Sequence, residues 1–496
     1  MSSKLLRVKR LSNIRLRYTG ILFFISNVFS YLMGVIFPIY VARFLSVPEF
    51  GIYGFIGGLW SLFDIFRGFI PFWASRMIAR GGRFTKTSLI TNLLISLPLT
   101  AALILLGPTL STITGVSLLI FLISSLYIPL SYAISGICAY ISMKKTDKLI
   151  YREIIPSLIK ITLGLVLVYL YGLIGVLVTL ILGYFSFFAY AFKISREDFE
   201  DKINLRIVKE WAKGSWLVLA MGISGMLYNN LDVLFLGFLG ETQLLGPYNV
   251  ALKIASWVGI TSTLSVALSP RLLSGVGGES DIQKTLDLVL MFSIPMLFGA
   301  ILLNKSLVNI FGSKYVQAVT PLVILVIARF LGIVVDIASS TIISLDKVDM
   351  GFKIPLRKLL RSRIFTLTLL QFFISLIQLT LLFVLFPTYG LIGVSLSVLV
   401  ASMMLLTITA RMGFRGMRIF NIRKTSNYLI SAIIMSLFLT IAPKSRSIET
   451  IPTIFMAMLI YFAILYIVDK EFRSLVKSGF KEALNQYLRL RSLVFE

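Results

Sequence analysis

Ser157–Val176 read SLIKITLGLVLVYLYGLIGV, and Ser375–Val394 read SLIQLTLLFVLFPTYGLIGV. The two stretches align without a gap, 218 residues apart, and agree at 13 of 20 positions. Both end in YGLIGV. Each is apolar over a length that can enter a hydrocarbon core of roughly 30 Å as a helix. So long a match within one chain implies that a membrane-embedded unit was duplicated. Duplicated membrane halves are the mark of transporters, whose cargo binds at the repeat interface.

Composition agrees. Hydrophobic residues make up 57% of the 496-residue chain and charged residues 14%, against about a quarter charged in soluble proteins. Backbone groups in a bilayer must satisfy their own hydrogen bonds, so the apolar runs are helices; a barrel would show short alternating segments instead. The expected fold is an all-α integral membrane protein of about fourteen transmembrane helices. The spans lie near 18–43, 50–74, 87–107, 113–141, 153–171, 172–192, 213–238, 246–269, 286–304, 315–344, 364–386, 389–410, 426–443 and 450–468.

The net charge of +26 follows the loops, not a nucleic-acid site. Lys4, Arg7, Lys9, Arg10, Arg15 and Arg17 precede span 1; Arg76, Arg80, Arg83 and Lys86 follow span 2; Lys144, Lys145, Lys148 and Arg152 follow span 4. The intervening loops, such as GPTLSTITG at 107–115, are short and nearly neutral. Basic loops stay on the cytoplasmic side, so a cell-membrane protein with both termini cytoplasmic is expected. The basic N-terminus runs into an apolar segment with no small-residue cleavage site, which reads as a retained first span.

Spans 5–6 match spans 11–12. An even offset preserves orientation, so the repeats are parallel, about an axis along the membrane normal. A shorter echo pairs Phe50-Gly51-Ile52-Tyr53 with Leu245-Gly246-Pro247-Tyr248. The expected organisation is an N-terminal lobe, residues 1–205, a C-terminal lobe, 206–424, two additional spans, 425–469, and a basic amphipathic tail, 470–496.

Val41–Phe55 read VARFLSVPEFGIYGF, and Asn230-Leu231-Asp232 is followed by Gly246-Pro247-Tyr248-Asn249-Val250-Ala251. The first resembles the A-R-x-L-G-x-x-x-F-G-x-Y pattern between the first two spans of the polysaccharide biosynthesis transporters, the Wzx-type lipid-linked oligosaccharide flippases. The second is similar to that family's D-…-G-x-Y-x-x-A. Ser46 stands where the family has Gly, so a different turn is expected there. The resemblance covers the whole chain and extends to the superfamily of exporters that includes the MATE drug transporters. It implies translocation of a lipid-(pyro)phosphate-linked oligosaccharide, with membrane lipids and glycan-assembly enzymes as partners.

Charges inside a bilayer are costly and face a cavity or one another. Arg67, Lys253, Arg329, Lys160 and Arg43 are the candidate substrate-binding cations: Arg offers a planar fork to phosphate and Lys a point charge. Asp232, Asp64, Asp336, Asn229 and Asn230 are the candidates for a coupling ion. Asp64–Arg67, Asp232–Lys253 and Arg329–Asp336 can equally be structural ion pairs, and Lys160 can snorkel to the surface.

The chain has no His and one Cys, which excludes a zinc site of the usual type and an intrachain disulfide. No Walker A loop is present, and no cofactor or catalytic residue is expected. Two other readings stay open. A MATE-type multidrug or cation antiporter normally has twelve spans and cation-binding carboxylates. A membrane-embedded glycan polymerase, ligase or glycosyltransferase needs a sizeable outer loop, and the outer loops here are short.

Overall fold

The computed structural model describes residues 33–477, apart from residues 80, 200–202, 266–267, 269–271, 273–276, 347–359, 418–419, 443–449 and 475. The basic N-terminal residues, the first half of span 1, Arg80 and the tail beyond residue 477 therefore lie outside the described residues. Among the described residues the chain is helical, with no strand. Among these described residues ten helices are long and apolar enough to cross a membrane, or eleven if one bent pair counts as a span.

The repeat explains one long element. The helices run α1 (Met33–Phe44), α2 (Val47–Phe63), α3 (Pro71–Ala79), α4 (Thr85–Thr114), α5 (Leu118–Ser125), α6 (Tyr127–Lys144) and α7 (Tyr151–Ser195). The last of these is two limbs. Gly172 interrupts it at φ 55° and ψ −129°, a conformation open to Gly and costly for any residue with a Cβ. The limbs fold back on each other there, bringing Gly183 against Pro156 and Gly164 against Thr179. They are the spans expected at 153–171 and 172–192. Gly390, at the matching place in the second repeat, has φ 55° and ψ −132°.

The chain continues through α8 (Leu205–Gly214), α9 (Trp216–Phe238), α10 (Thr242–Gly259), α11 (Glu279–Leu302), α12 (Asn304–Phe311) and α13 (Val319–Leu345). It ends in α14 (Arg363–Tyr389), α15 (Leu391–Gly413), α16 (Ile422–Ile441) and α17 (Thr450–Val468). Two compact units result. One comprises Met1–Val250 and Val348–Val384, the other Ala251–Lys347 and Leu385–Glu496.

In the first unit α3, α4 and α7 pack on α6, and α2 packs on α9. The buried core near α3 and α6 contains Trp73, Ile137, Phe187 and Trp211. The two echo motifs meet here: a methyl on Gly51 would lie 2.6 Å from the Thr242 carbonyl and 2.9 Å from the Gly246 nitrogen. Asn249 ties the contact by donating to the Gly51 carbonyl at 3.0 Å. Close approach of two backbones thus accounts for both glycines.

In the second unit α13 packs on α15, and α11 and α17 flank α16. Lys424 bridges Asp287 at 3.0 Å and Glu471 at 2.6 Å, and Tyr461 donates to the Met291 carbonyl at 2.7 Å. These contacts fasten the two final helices to α11.

The span expected at 50–74 is a bent pair of helices. Ser46 caps α2 in a capping box: its hydroxyl accepts from the Glu49 N–H at 3.4 Å, and Glu49 accepts from the Ser46 N–H at 2.8 Å. This is the local consequence of Ser at that position. α2 then stops at Asp64, gives one 3₁₀ turn over Asp64–Phe66, and resumes as α3 with a bend of 55°. Pro71 opens α3, where its missing N–H costs nothing, and it forbids continuation of the preceding ladder.

Candidate functional site

The break in span 2 frees backbone carbonyls inside the first unit, and side chains from two other helices take them up. Tyr132 donates its hydroxyl to the Phe63 carbonyl at 2.6 Å. Asn92 donates to the Arg67 carbonyl at 3.2 Å and to the Tyr132 carbonyl at 2.9 Å. Ser135 lies 3.3 Å from the Arg67 carbonyl. Irregular backbone at membrane depth is tolerated where it is satisfied by protein or lines a cavity. Both conditions hold here.

The cavity has a volume of about 450 Å³. The broken segment contributes Asp64 and Arg67, α6 contributes Ser131 and Cys138, and α9 contributes Val218 and Gly222. The first limb of α7 adds Arg152, Glu153 and Lys160, and the second adds Tyr184. Three cations thus face two carboxylates.

Arg67 Nη1 donates to Asp64 Oδ2 at 2.6 Å. Tyr127 donates its hydroxyl to the same oxygen at 2.9 Å, and Ser131 Oγ lies 3.1 Å from Oδ1. Tyr127 is itself held by stacking on Trp60, with ring centroids 4.1 Å apart. Trp60 is fixed in turn by donating to the Ser124 carbonyl at 3.0 Å. Arg67 is the more exposed partner, its side chain 35% accessible against 16% for Asp64. Lys160 is half-buried and, among the described residues, makes no hydrogen bond or ion pair. Glu153 lies seven residues before it on the same helix face and attracts it at longer range.

Of the residues singled out from sequence, the cavity brings together Asp64, Arg67 and Lys160. The others lie elsewhere. Arg43 is exposed at the end of α1. Asp232 is buried, accepting from the Tyr248 hydroxyl and, at 2.9 Å, from the Val233 N–H. The D-…-G-x-Y spacing thus joins α9 to α10. Asn229 and Asn230 turn their amides back to the Gly225 and Met226 carbonyls of their own helix, at 2.8 and 3.4 Å.

Lys253, Arg329 and Asp336 belong to the second unit. Arg329 and Asp336 are seven residues apart on α13, so they share a face. Among the described residues the buried Nε of Arg329 has no partner, while Asp336 accepts a hydrogen bond from Ser262.

Sequence reasoning missed Arg152, Glu153, Tyr127 and Tyr184. Arg152 reads as a loop cation because it follows Lys144, Lys145 and Lys148. The available signal was the Glu153–Lys160 spacing, two helical turns on an otherwise apolar limb.

Apolar spans, a broken helix and a charged cavity define a multi-pass membrane protein of the transporter class. The family model described as "Polysaccharide biosynthesis protein" matches residues 18–274. The chain belongs to that family. It is 26% identical over 202 residues to the protein named "Probable flippase AglR" of Haloferax volcanii. That match spans 38% of each chain. Among solved structures it shares its fold with "Lipid II flippase MurJ, inward closed conformation", at a TM-score of 0.71 and 17% identity. The superposition covers 92% of this chain and 100% of the other. An outward-facing multidrug resistance MATE family transporter of the MOP superfamily gives a TM-score of 0.47 at 13% identity, over 87% and 96% of the two chains.

Proposed function

We propose that the protein is a flippase. It translocates a lipid-(pyro)phosphate-linked oligosaccharide from the cytoplasmic to the outer leaflet of the cell membrane by alternating access, with both termini cytoplasmic. Lobes 1–205 and 206–424 are its moving parts, and the spans after residue 425 are accessory. The observation that carries the reading is the convergence of Arg67 and Lys160 on one cavity lined by apolar helices, with Lys160 making no hydrogen bond or ion pair among the described residues. A half-buried cation with no carboxylate in direct contact favours an anionic ligand. Family membership and the flippase relative support the same reading.

In this mechanism Arg67 offers its guanidinium fork to the phosphate and Lys160 adds a second charge. The lipid tail stays in the bilayer while the headgroup and sugars cross in the cavity. The membrane potential assists, since each negative charge moved outward gains roughly 2.3 kcal/mol per 100 mV. The reading gives Lys253, Arg329 and Arg43 lesser parts in substrate binding. It gives Asp336, and less directly Asp232, Asn229 and Asn230, to a coupling ion. The chemistry on either side implies glycan-assembly enzymes as partners. No bond is made or broken, so the protein is a transporter and not an enzyme.

The test is reconstitution in liposomes with a fluorescent polyprenyl pyrophosphate carrying a disaccharide. Arg67→Ala and Lys160→Ala are each expected to slow its flipping by roughly 10- to 100-fold, the loss expected for a hydrogen bond to a charged group. Unchanged rates in both, with normal amounts of protein in the membrane, would end the proposal.

A further inference from the structure

Arg67 is not an open cation. In the cavity its Nη1 is bound to Asp64 at 2.6 Å, so a phosphate must displace a carboxylate to gain that bond. The arrangement is asymmetric in a way that suits displacement. Asp64 is the recessed partner and Arg67 the one that reaches further into the open. Asp64 has two other hydroxyl neighbours, Tyr127 and Ser131, on its two oxygens. If Arg67 turned away, Tyr127 would still donate to the carboxylate, and Ser131 could turn its single proton to it from the Ile128 carbonyl, 3.0 Å away. An Asp held by Arg67 alone would be stranded, because a buried charge that loses its partner is strongly destabilised. The pair also sits on the 3₁₀ turn where span 2 is interrupted, so its geometry is not locked inside a continuous helix.

We propose that Asp64 is a resident counter-anion. It neutralises Arg67 while the cavity is empty and yields the guanidinium to the phosphate of an incoming substrate. The idea rests on the flippase reading and adds a rule of operation to it. The empty carrier returns with Arg67 paired to Asp64, and the loaded carrier crosses with Arg67 paired to substrate. In neither state does a bare guanidinium meet the low-dielectric interior. Asp64 therefore sets the strength of the anion grip, and Tyr127 sets how readily Asp64 lets go. Tyr127 is a positioning residue: it acts chiefly through Asp64, its oxygen also accepting a long 3.4 Å contact from Arg67 Nη1.

The full-length protein in detergent is titrated with inorganic pyrophosphate, and the same variants are assayed for flipping of the disaccharide-bearing lipid probe. Asp64→Asn keeps the shape and the neighbouring hydroxyls and removes the competitor. Its pyrophosphate affinity should rise by about tenfold while flipping slows, because release and the empty return both suffer. Tyr127→Phe should do the reverse: Asp64 loses one of its two other hydroxyl neighbours, holds Arg67 more tightly, and pyrophosphate binds more weakly. In an Arg67→Ala background the Asp64→Asn gain should vanish. Damage to folding would weaken binding in both variants, so opposite signs identify the exchange.

Unchanged or weaker binding in Asp64→Asn overturns the inference, as does a gain that persists without Arg67. If neither the wild type nor Asp64→Asn binds pyrophosphate, the inference and the flippase reading fall together. Tighter binding through Arg67, with a wild type that does not flip the glycan lipid, would sink the flippase reading and leave the counter-anion role standing.

Discussion

The two copies of the repeat share a backbone and differ in what they do with it. Gly172 and Gly390 adopt the same conformation to within a few degrees. Three residues further on, a methyl on Gly175 would collide with the Leu167 carbonyl, and one on Gly393 with the equivalent Leu385 carbonyl. The turn that folds one limb on the next is therefore conserved by geometry. The helix face before it is not. In the first copy that face carries Ser157 and Lys160 into the cavity. In the second the matching residues are Ser375 and Gln378, each only 1% exposed. Both amide atoms of Gln378 lack partners among the described residues. Duplication supplied two similar scaffolds, and the exchange of Lys160 for Gln378, one of seven differences in the aligned stretch, removes the charge from the second.

Making the second copy resemble the first should have the largest effect. Gln378→Lys puts an ammonium where even an amide finds no partner, a change expected to cost about 3–5 kcal/mol. The variant should fail to accumulate as folded protein, as read by fluorescence-detected size exclusion. A folded, fully stable Gln378→Lys would mean that the second copy also opens onto water, and the contrast between the copies would disappear.

A smaller effect should test their likeness. Gly172→Ala and Gly390→Ala each force a Cβ into a backbone region suited to Gly, at about 1–3 kcal/mol apiece. No neighbour lies close enough to add a clash at either site: the nearest atom to a Cβ is 3.8 Å away at Gly172, and there is none within 4 Å at Gly390. The two losses should therefore agree to within about 0.5 kcal/mol in thermal unfolding of the detergent-solubilised protein. A large difference between them would show that the turns are not equivalent under load.

The repeat, the apolar runs and the family motifs made the helical membrane fold legible, because hydropathy and self-similarity depend on composition over many residues. The break in span 2 was harder to read. A proline such as Pro71 is compatible with a bend, but the satisfaction of the freed carbonyls by Tyr132, Asn92 and Ser135 depends on contacts 25 to 69 residues away. Asp64, Arg67 and Lys160 were legible as site residues since a charge within an apolar run is conspicuous. Arg152 and Glu153 were hidden by the basic loop beside them. Asp232 stood out for the same reason as Asp64, yet its oxygens serve Tyr248 and the local backbone. Sequence marks where charge is unusual, and only packing tells which charges face open space.

The account depends most on a wet, anion-attracting cavity in the first unit, and the chain carries its own probe. Cys138 is the sole cysteine, lines the cavity and is partly exposed. The measurement is its rate of reaction with an anionic and with a cationic methanethiosulfonate in native membranes, in the wild type and in Lys160→Ala. The account predicts reaction with both reagents, and a ratio of anionic to cationic rates that falls by about tenfold when Lys160 is removed. A thiol inert to both reagents, or a ratio indifferent to Lys160, would contradict it.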